Sequence, residues 1–218
     1  MFTPMPPTRS GIADYAVELV HELCDRHQVQ VYVASPEEVS AWNGRAAAFT
    51  VQSAHEFVWA AGQYRHDLII YQMGNAWCHD YMWPYLFRYP GLVVLHDAQL
   101  HHARAWSLLQ RNRIAEYRAE LAFNHPELPP EAAEPAILGF GGPLYYKWPM
   151  LRAVVRSARH VAVHNATLGV TLRDTYPDTP IDAIRMGVAQ PTATSETTRC
   201  LRHRDNCPAR RPVHSPCS

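Results

Sequence analysis

Polar and ionisable side chains stand directly after the apolar runs of this sequence, and their types suggest what chemistry they could do. The first group is Pro6-Pro7-Thr8-Arg9-Ser10-Gly11-Ile12-Ala13-Asp14-Tyr15. Gly11 opens a helical stretch, where free backbone N–H groups and the helix dipole favour an anion such as a diphosphate. Asp14 either assists that loop or simply complements the dipole as a first-turn acid. Next come Tyr71-Gln72-Met73-Gly74-Asn75 with His79, then Leu95-His96-Asp97 with Leu100-His101-His102. Asn165 follows the run His160–His164, and Met186-Gly187-Val188 follows the last one. His96, Asp97, His101 and His102 are ligand types that suit zinc or iron. They also fit a structural polar cluster or a ligand-binding edge. Adjacent residues such as His96 and Asp97 leave a strand end toward different sides, and no H-E-x-x-H or C-x-x-C pairing supports a metal. Cys200, His203, Cys207, His214 and Cys217 have the types of a zinc knuckle, but their spacing fits no strong template.

The elements that must position these groups alternate. Ala13–Cys24 carries Ala16, Leu19, Val20 and Leu23 at helical spacing. Val29–Ala34 reads as a strand and Phe49–Val51 as a short one. Asp67–Gln72 and Gly91–Leu95 are continuous aliphatic runs, the pattern of strands covered on both faces in a parallel sheet. One long helix is expected over Leu100–Phe123 and a Pro/Gly-rich loop over His125–Gly142. A further helix is expected over Pro143–Ala158. A strand at His160–His164, a helix at Ala166–Thr175 and a strand at Ile181–Ile184 complete the pattern. Strands alternating with helices predict an α/β fold, a Rossmann-like parallel sheet with helices on both faces. In such sheets ligands bind beyond the carboxyl ends of the strands. The polar groups above therefore converge on one edge, and their convergence says more than any one of them.

Composition sets the outer limits. The 218 residues are 47% hydrophobic and 18% charged, a globular mixture able to form a core. Formal net charge is zero, which excludes a broad electrostatic pull toward nucleic acid. Of the 20 basic residues one is lysine, Lys147, a skew typical of GC-rich coding. No run reaches the ~20 apolar residues needed to cross a bilayer. The first seven residues have neither the basic nor the apolar region of a signal peptide. A cytoplasmic protein is the expectation, with peripheral membrane contact left open. Only Met1–Thr3 precede the Pro-rich turn, so the first strand is expected to be clipped. After Val188 the pattern dissolves. Residues 189–218 hold Pro191, Pro208, Pro212, Pro216 and five arginines, and Leu201 and Val213 are their only large aliphatics. Such a segment buries too little apolar surface to fold alone. It reads either as a disordered tail or as the product of a frameshift, leaving one domain over residues 1–188.

These motifs, in this order, resemble the family 4 glycosyltransferases, which have the GT-B fold of two facing Rossmann-like domains. The resemblance runs from Pro6 to about Val188. It rests on Ser10-Gly11-Ile12-Ala13-Asp14-Tyr15, Tyr71-Gln72-Met73-Gly74-Asn75, Val93-Val94-Leu95-His96-Asp97 with Leu100-His101-His102, and Ile184-Arg185-Met186-Gly187-Val188. It implies transfer of a hexose from a nucleotide-sugar to a hydroxyl of a glycan or glycoconjugate acceptor, with retention and without a metal or other cofactor. Gly11 then approaches the donor diphosphate and His96 meets the transferred sugar. Asp97 orients His96 or holds the acceptor. Asp14, Gln72, Asn75, His101, Asn165 and Gly187 line the donor and acceptor sites. Arg185 and Met186 replace the Pro-Asn usual in the last turn. The family's nucleotide pocket lies in its second domain, with two glutamates seven residues apart. Nothing after Val188 supplies them, so this chain is expected to bind donor weakly and to be inactive as it stands. A sugar- or partner-binding module without catalysis is the alternative, and a metal-dependent hydrolase a more distant one.

Overall fold

In the computed structural model, residues 1–45, 48–63 and 66–187 are described. The expectations for residues 189–218, including the Cys/His spacing there, lie outside the described residues. Met1–Gly187 forms one unit. Its strands are β1 (Gln30–Val33), β2 (Thr50–Ser53), β3 (Ile70–Met73), β4 (Leu92–Leu95), β5 (His160–Val163) and β6 (Ile181–Ala183). All are parallel, in the orders β1-β2 and β3-β4-β5-β6.

Met1–Thr3 joins the two sets. Phe2 bridges Tyr32 on one side and Tyr71 on the other. Tyr32 N donates to Met1 O at 2.8 Å, Phe2 N to Ile70 O at 2.7 Å, and Gln72 N to Phe2 O at 2.9 Å. The three residues expected to be the remnant of a strand thus hold the central position. The spatial order is β2, β1, Met1–Thr3, β3, β4, β5, β6, which is doubly wound, and its direction reverses between Met1–Thr3 and β3. Crevices form outside the strand ends at such a reversal.

Alternation along the strands divides the core between the two faces of the sheet. Phe2, Tyr32, Tyr71, Val93, Val161 and Val163 belong to one cluster. Met1, Val31, Val33 and Val51 belong to another, with Ala16 and Val20 from α1 (Gly11–Cys24). Gly91 begins the β4 approach because a Cβ there would fall on the backbone oxygen of Ile69.

Local chemistry sets the helix ends. Ser10 caps α1 by accepting from Ile12 N at 3.2 Å. Ser35 and Glu38 form a reciprocal capping box on α2 (Pro36–Trp42). Asn165 caps α10 (Ala166–Thr175), accepting from Leu168 N at 3.0 Å. Between α2 and α10 run α3 (Ala54–Gln63), α4 (Met82–Arg88), α5 (His101–Gln110), α6 (Ile114–Asn124), α7 (Glu134–Ile137), α8 (Gly142–Lys147) and α9 (Arg152–Ser157). The single helix expected over Leu100–Phe123 is two, α5 and α6. Asn112 breaks it with φ +55°, a left-handed conformation that asparagine tolerates better than most residues. The helix expected over Pro143–Ala158 is also two, α8 and α9. Pro149 holds Trp148 in an extended conformation, and Met150 follows at φ +55°. The expected loop over His125–Gly142 contains a short 3-10 turn, Pro130–Ala133, and α7.

A buried charge network pins α5. Arg104, 8% exposed, donates to Asp80 Oδ1 at 2.8 Å and to both carboxylate oxygens of Glu120 on α6. Its guanidinium also lies 4.7 Å from the centre of the Trp83 ring. Arg111 donates to the other Asp80 oxygen at 2.7 Å and to Ser107 at 2.9 Å. The Asp80 carboxyl is buried, which alone would raise its pKa. Ser107 and the two arginines outweigh that and hold it below its ordinary value.

Candidate functional site at the strand ends

Register brings three polar side chains into line. Gln72 pairs with Val94, and Val94 with Ala162. His96 and His164 stand two residues beyond Val94 and Ala162, so they share the Gln72 face of the sheet. The contacts agree. Gln72 Oε1 meets His96 Nε2, and the His96 and His164 rings lie 4.9 Å apart, centre to centre, at 50°. Tyr15, one turn into α1, closes the group from above. Its ring stands edge-on to His96 at 5.4 Å and to His164 at 6.2 Å.

Gln72 is buried, and Tyr15, His96 and His164 are half-buried. Burial pushes the His96 imidazole down to about 4, and the neighbouring His164 and His79 imidazoles add to the effect. Near neutral pH His96 is therefore an uncharged donor and acceptor. Burial raises the Tyr15 phenol, and the backbone of Gly187 opposes that rise, which puts Gly187 beside this tyrosine. Neither ring nitrogen of His164 has a hydrogen-bond partner among the described residues, although both are buried. Most buried polar groups are satisfied, so an exception of this kind calls for an explanation in the chemistry of the site.

Anchoring of the preceding loop is unusually thorough. Glu38 is 2% exposed; it accepts from Met5 N at 2.7 Å and from Ser35 N at 3.1 Å. Trp42 Nε1 donates to Pro6 O at 2.9 Å. These bonds tie Met5 and Pro6 to α2, just ahead of the turn that leads into α1. At that start, Gly11 is exposed and a Cβ there would meet nothing within 4 Å. Asp14 is exposed in the first turn. On the β3 side, a Cβ at Gly74 would press on Ile12 and lie 2.9 Å from His79 Nε2. The glycine thus lets the first turn of α1 approach the strand end. His79 is buried, donates from Nδ1 to Gln72 O at 2.9 Å, and has no partner at Nε2 among the described residues.

Other predicted site residues have structural partners. Asp97 accepts from Gln99 N at 2.8 Å, forming a turn that leads into α5. Asn75 accepts from Ala103 N at 3.0 Å and so satisfies one of the free N–H groups at the start of α5. His101 is fully buried. It shares Nδ1 with Trp148 O at 2.7 Å and Nε2 with the Tyr117 hydroxyl at 2.8 Å. Asn165 is exposed and occupied as the α10 cap. Gln72, His96 and Gly187 therefore gather in the cluster, with Gly11 and Asp14 at the start of the helix that carries Tyr15. Asp97, Asn75, His101 and Asn165 hold the chain around it.

His164 and Tyr15 belong to the cluster without having been predicted as site residues. The signal for His164 lay in the sequence: Leu92-Val93-Val94-Leu95-His96 and His160-Val161-Ala162-Val163-His164 are neighbouring strands with histidine at the same exit position. Among the described residues no three His, Cys, Asp or Glu side chains gather as metal ligands would, and no helix is long and apolar enough to cross a membrane. The chain matches no known family model, no curated protein and no solved structure.

Proposed function

We propose that this chain carries the acceptor-side domain of a retaining, GT-B-type hexosyltransferase. The observation that carries this reading is the Gln72–His96–His164–Tyr15 cluster at the reversal point of a doubly wound sheet, beside the open start of α1. Two imidazoles, an amide and a phenol make a surface of hydrogen-bond donors and acceptors. Sugar hydroxyls need such partners, and buried polar groups that lack them discriminate strongly for a ligand that supplies them. The Gly11 N–H, which has no partner among the described residues, and the helix dipole at the start of α1 suit the phosphate of a donor.

The reaction is displacement of a nucleoside diphosphate from the anomeric carbon by an acceptor hydroxyl, with retention. The domain's part is to orient the hexose and the acceptor; the leaving diphosphate, which takes up the acceptor hydroxyl's proton, departs toward the α1 start, where the Gly11 N–H donates to its developing charge. Under this reading the nucleotide is held by residues outside those described, and the setting is cytoplasmic. No metal or organic cofactor takes part.

The test is an NMR titration of the isotope-labelled chain with oligosaccharides and with nucleoside-diphosphate hexoses. Saturable shifts at Tyr15, Gln72, His96 and His164 are expected. Within a two-domain enzyme containing this domain, His96→Ala is expected to cut transfer at least tenfold without unfolding. Absence of any saturable response to saccharide or nucleotide-sugar would overturn the reading. Selective broadening of His96 and His164 by a stoichiometric divalent cation would replace it with a metal enzyme.

A further inference from the structure

His96 is held through one ring nitrogen, and the partner decides which tautomer it adopts. Nε2 faces Gln72 Oε1. An imidazole nitrogen opposite a carbonyl oxygen must carry the proton. Amide oxygen and nitrogen can be exchanged by a half-turn, so the surroundings must settle the orientation. Here Gln72 Nε2 points to Met1 Sδ at 3.9 Å, a weak donor-to-sulfur contact. The turned amide would set oxygen against sulfur, two acceptors, and give up that contact. Gln72 is fully buried, so neither end can turn to water instead. Its backbone is also fixed on both sides, N–H to Phe2 O at 2.9 Å and C=O to His79 Nδ1 at 2.9 Å.

We propose that Gln72 is a positioning residue, one that locks His96 as the neutral Nε2–H tautomer and leaves its Nδ1 lone pair to accept a hydrogen bond from a ligand hydroxyl. Among the described residues the only side-chain hydrogen bond of His96 is the one at Nε2. The part about a hydroxyl ligand rests on the proposed function; the tautomer does not. A carboxylate in place of Gln72 would orient the ring equally well but would draw it toward imidazolium, as in carboxylate–histidine pairs. The amide orients without charging. The nearby imidazoles of His164 and His79 would otherwise face a cation.

The test uses the full chain labelled with nitrogen-15 at histidine, with two-bond proton–nitrogen correlation spectra and His96→Gln to assign the signals. The wild type is expected to give the Nε2–H pattern at His96 and no protonation down to about pH 5. Gln72→Glu is expected to raise the His96 pKa by two or more, a hundredfold gain in proton affinity. Gln72→Leu is expected to release the tautomer preference. A wild-type Nδ1–H pattern would overturn the proposal, as would a folded Gln72→Glu protein with an unshifted His96. If Gln72→Leu fails to fold, the other two spectra still decide. A saccharide that leaves the spectrum unmoved would count against the proposed function while the tautomer result stood.

Discussion

Acid should unfold this protein through two buried histidines, well before its carboxylates protonate. Burial pushes His79 and His101 each down to about 4, from an ordinary 6.5. Both side chains are almost wholly inaccessible to water. In the folded state they are neutral; the unfolded chain takes up their protons near pH 6.5. Stability is therefore complete above pH 6.5 and is lost as pH falls toward 4, because the unfolded state binds more protons throughout that window. A shift of this size corresponds to about 3 kcal/mol per histidine when the window is crossed, at ~1.4 kcal/mol per pKa unit. At pH 5 the two together should have removed about 4 kcal/mol, a large share of the ~5–15 kcal/mol typical of a domain. Urea unfolding followed by circular dichroism at half-unit steps from pH 8 to 4.5 measures this directly. The expected slope approaches ~2.7 kcal/mol per pH unit near pH 5.5, the value for two protons. His96, partly solvated, adds a smaller effect of the same sign. His101→Gln and His79→Gln should each remove about one proton's worth of slope. A slope below ~1 kcal/mol per pH unit between pH 6 and 5 would refute the reasoning, since it would mean that these imidazoles protonate in place.

Two further perturbations probe what holds the site together. Arg104→Met should destabilise by about 3–5 kcal/mol, because Asp80 and Glu120 are left without their shared cation. Adding Glu120→Gln should restore part of that loss, and chemical unfolding of the single and double variants measures both. Gly91→Ala should cost about 1–3 kcal/mol or more, since the new Cβ meets backbone rather than a movable side chain. A melting temperature within a degree of wild type would contradict that geometry.

Much of the architecture was legible because strands buried on both faces write continuous aliphatic runs. Each run led to a strand in the expected place, and the alternation with helices gave a parallel sheet. Breaks within helical stretches were overlooked. Leu108 and Tyr117 are nine residues apart, half a turn out of phase on a single continuous helix, and it is the left-handed break at Asn112 that lets them pack in one cluster with Leu121. Conversely, Ala54–Gln63 was missed as a helix because the side chains it fully buries are few, Ala54 and Phe57. Strand placement inside the sheet was also beyond reach. Three residues sufficed to occupy the centre because Tyr32 on one side and Ile70 and Gln72 on the other supply the backbone hydrogen bonds, while the Tyr32 and Tyr71 rings stack on Phe2.

For the site, residue type was readable but engagement was not. His96, His101 and Asp97 looked alike as polar residues near one strand end. Their difference lies in what each has already bound. His101 spends both ring nitrogens on Trp148 and Tyr117, and Asp97 spends an oxygen on its own turn. His96 spends one nitrogen on Gln72, and His164 spends none on the described residues. A side chain whose hydrogen-bonding capacity is exhausted within the fold can only position its neighbours. One with capacity left over, held in a shielded place, can discriminate between ligands, because each unmet hydrogen bond there costs about 1–3 kcal/mol when the wrong ligand enters. Parity supplies the rest of the argument. Gln72, His96 and His164 share a face because two neighbouring strands in register end in histidine, and moving either strand by one residue would send its histidine to the opposite face. The cluster is thus a consequence of register, and register is held by the apolar pairs Tyr71–Val93 and Val93–Val161 on the other face.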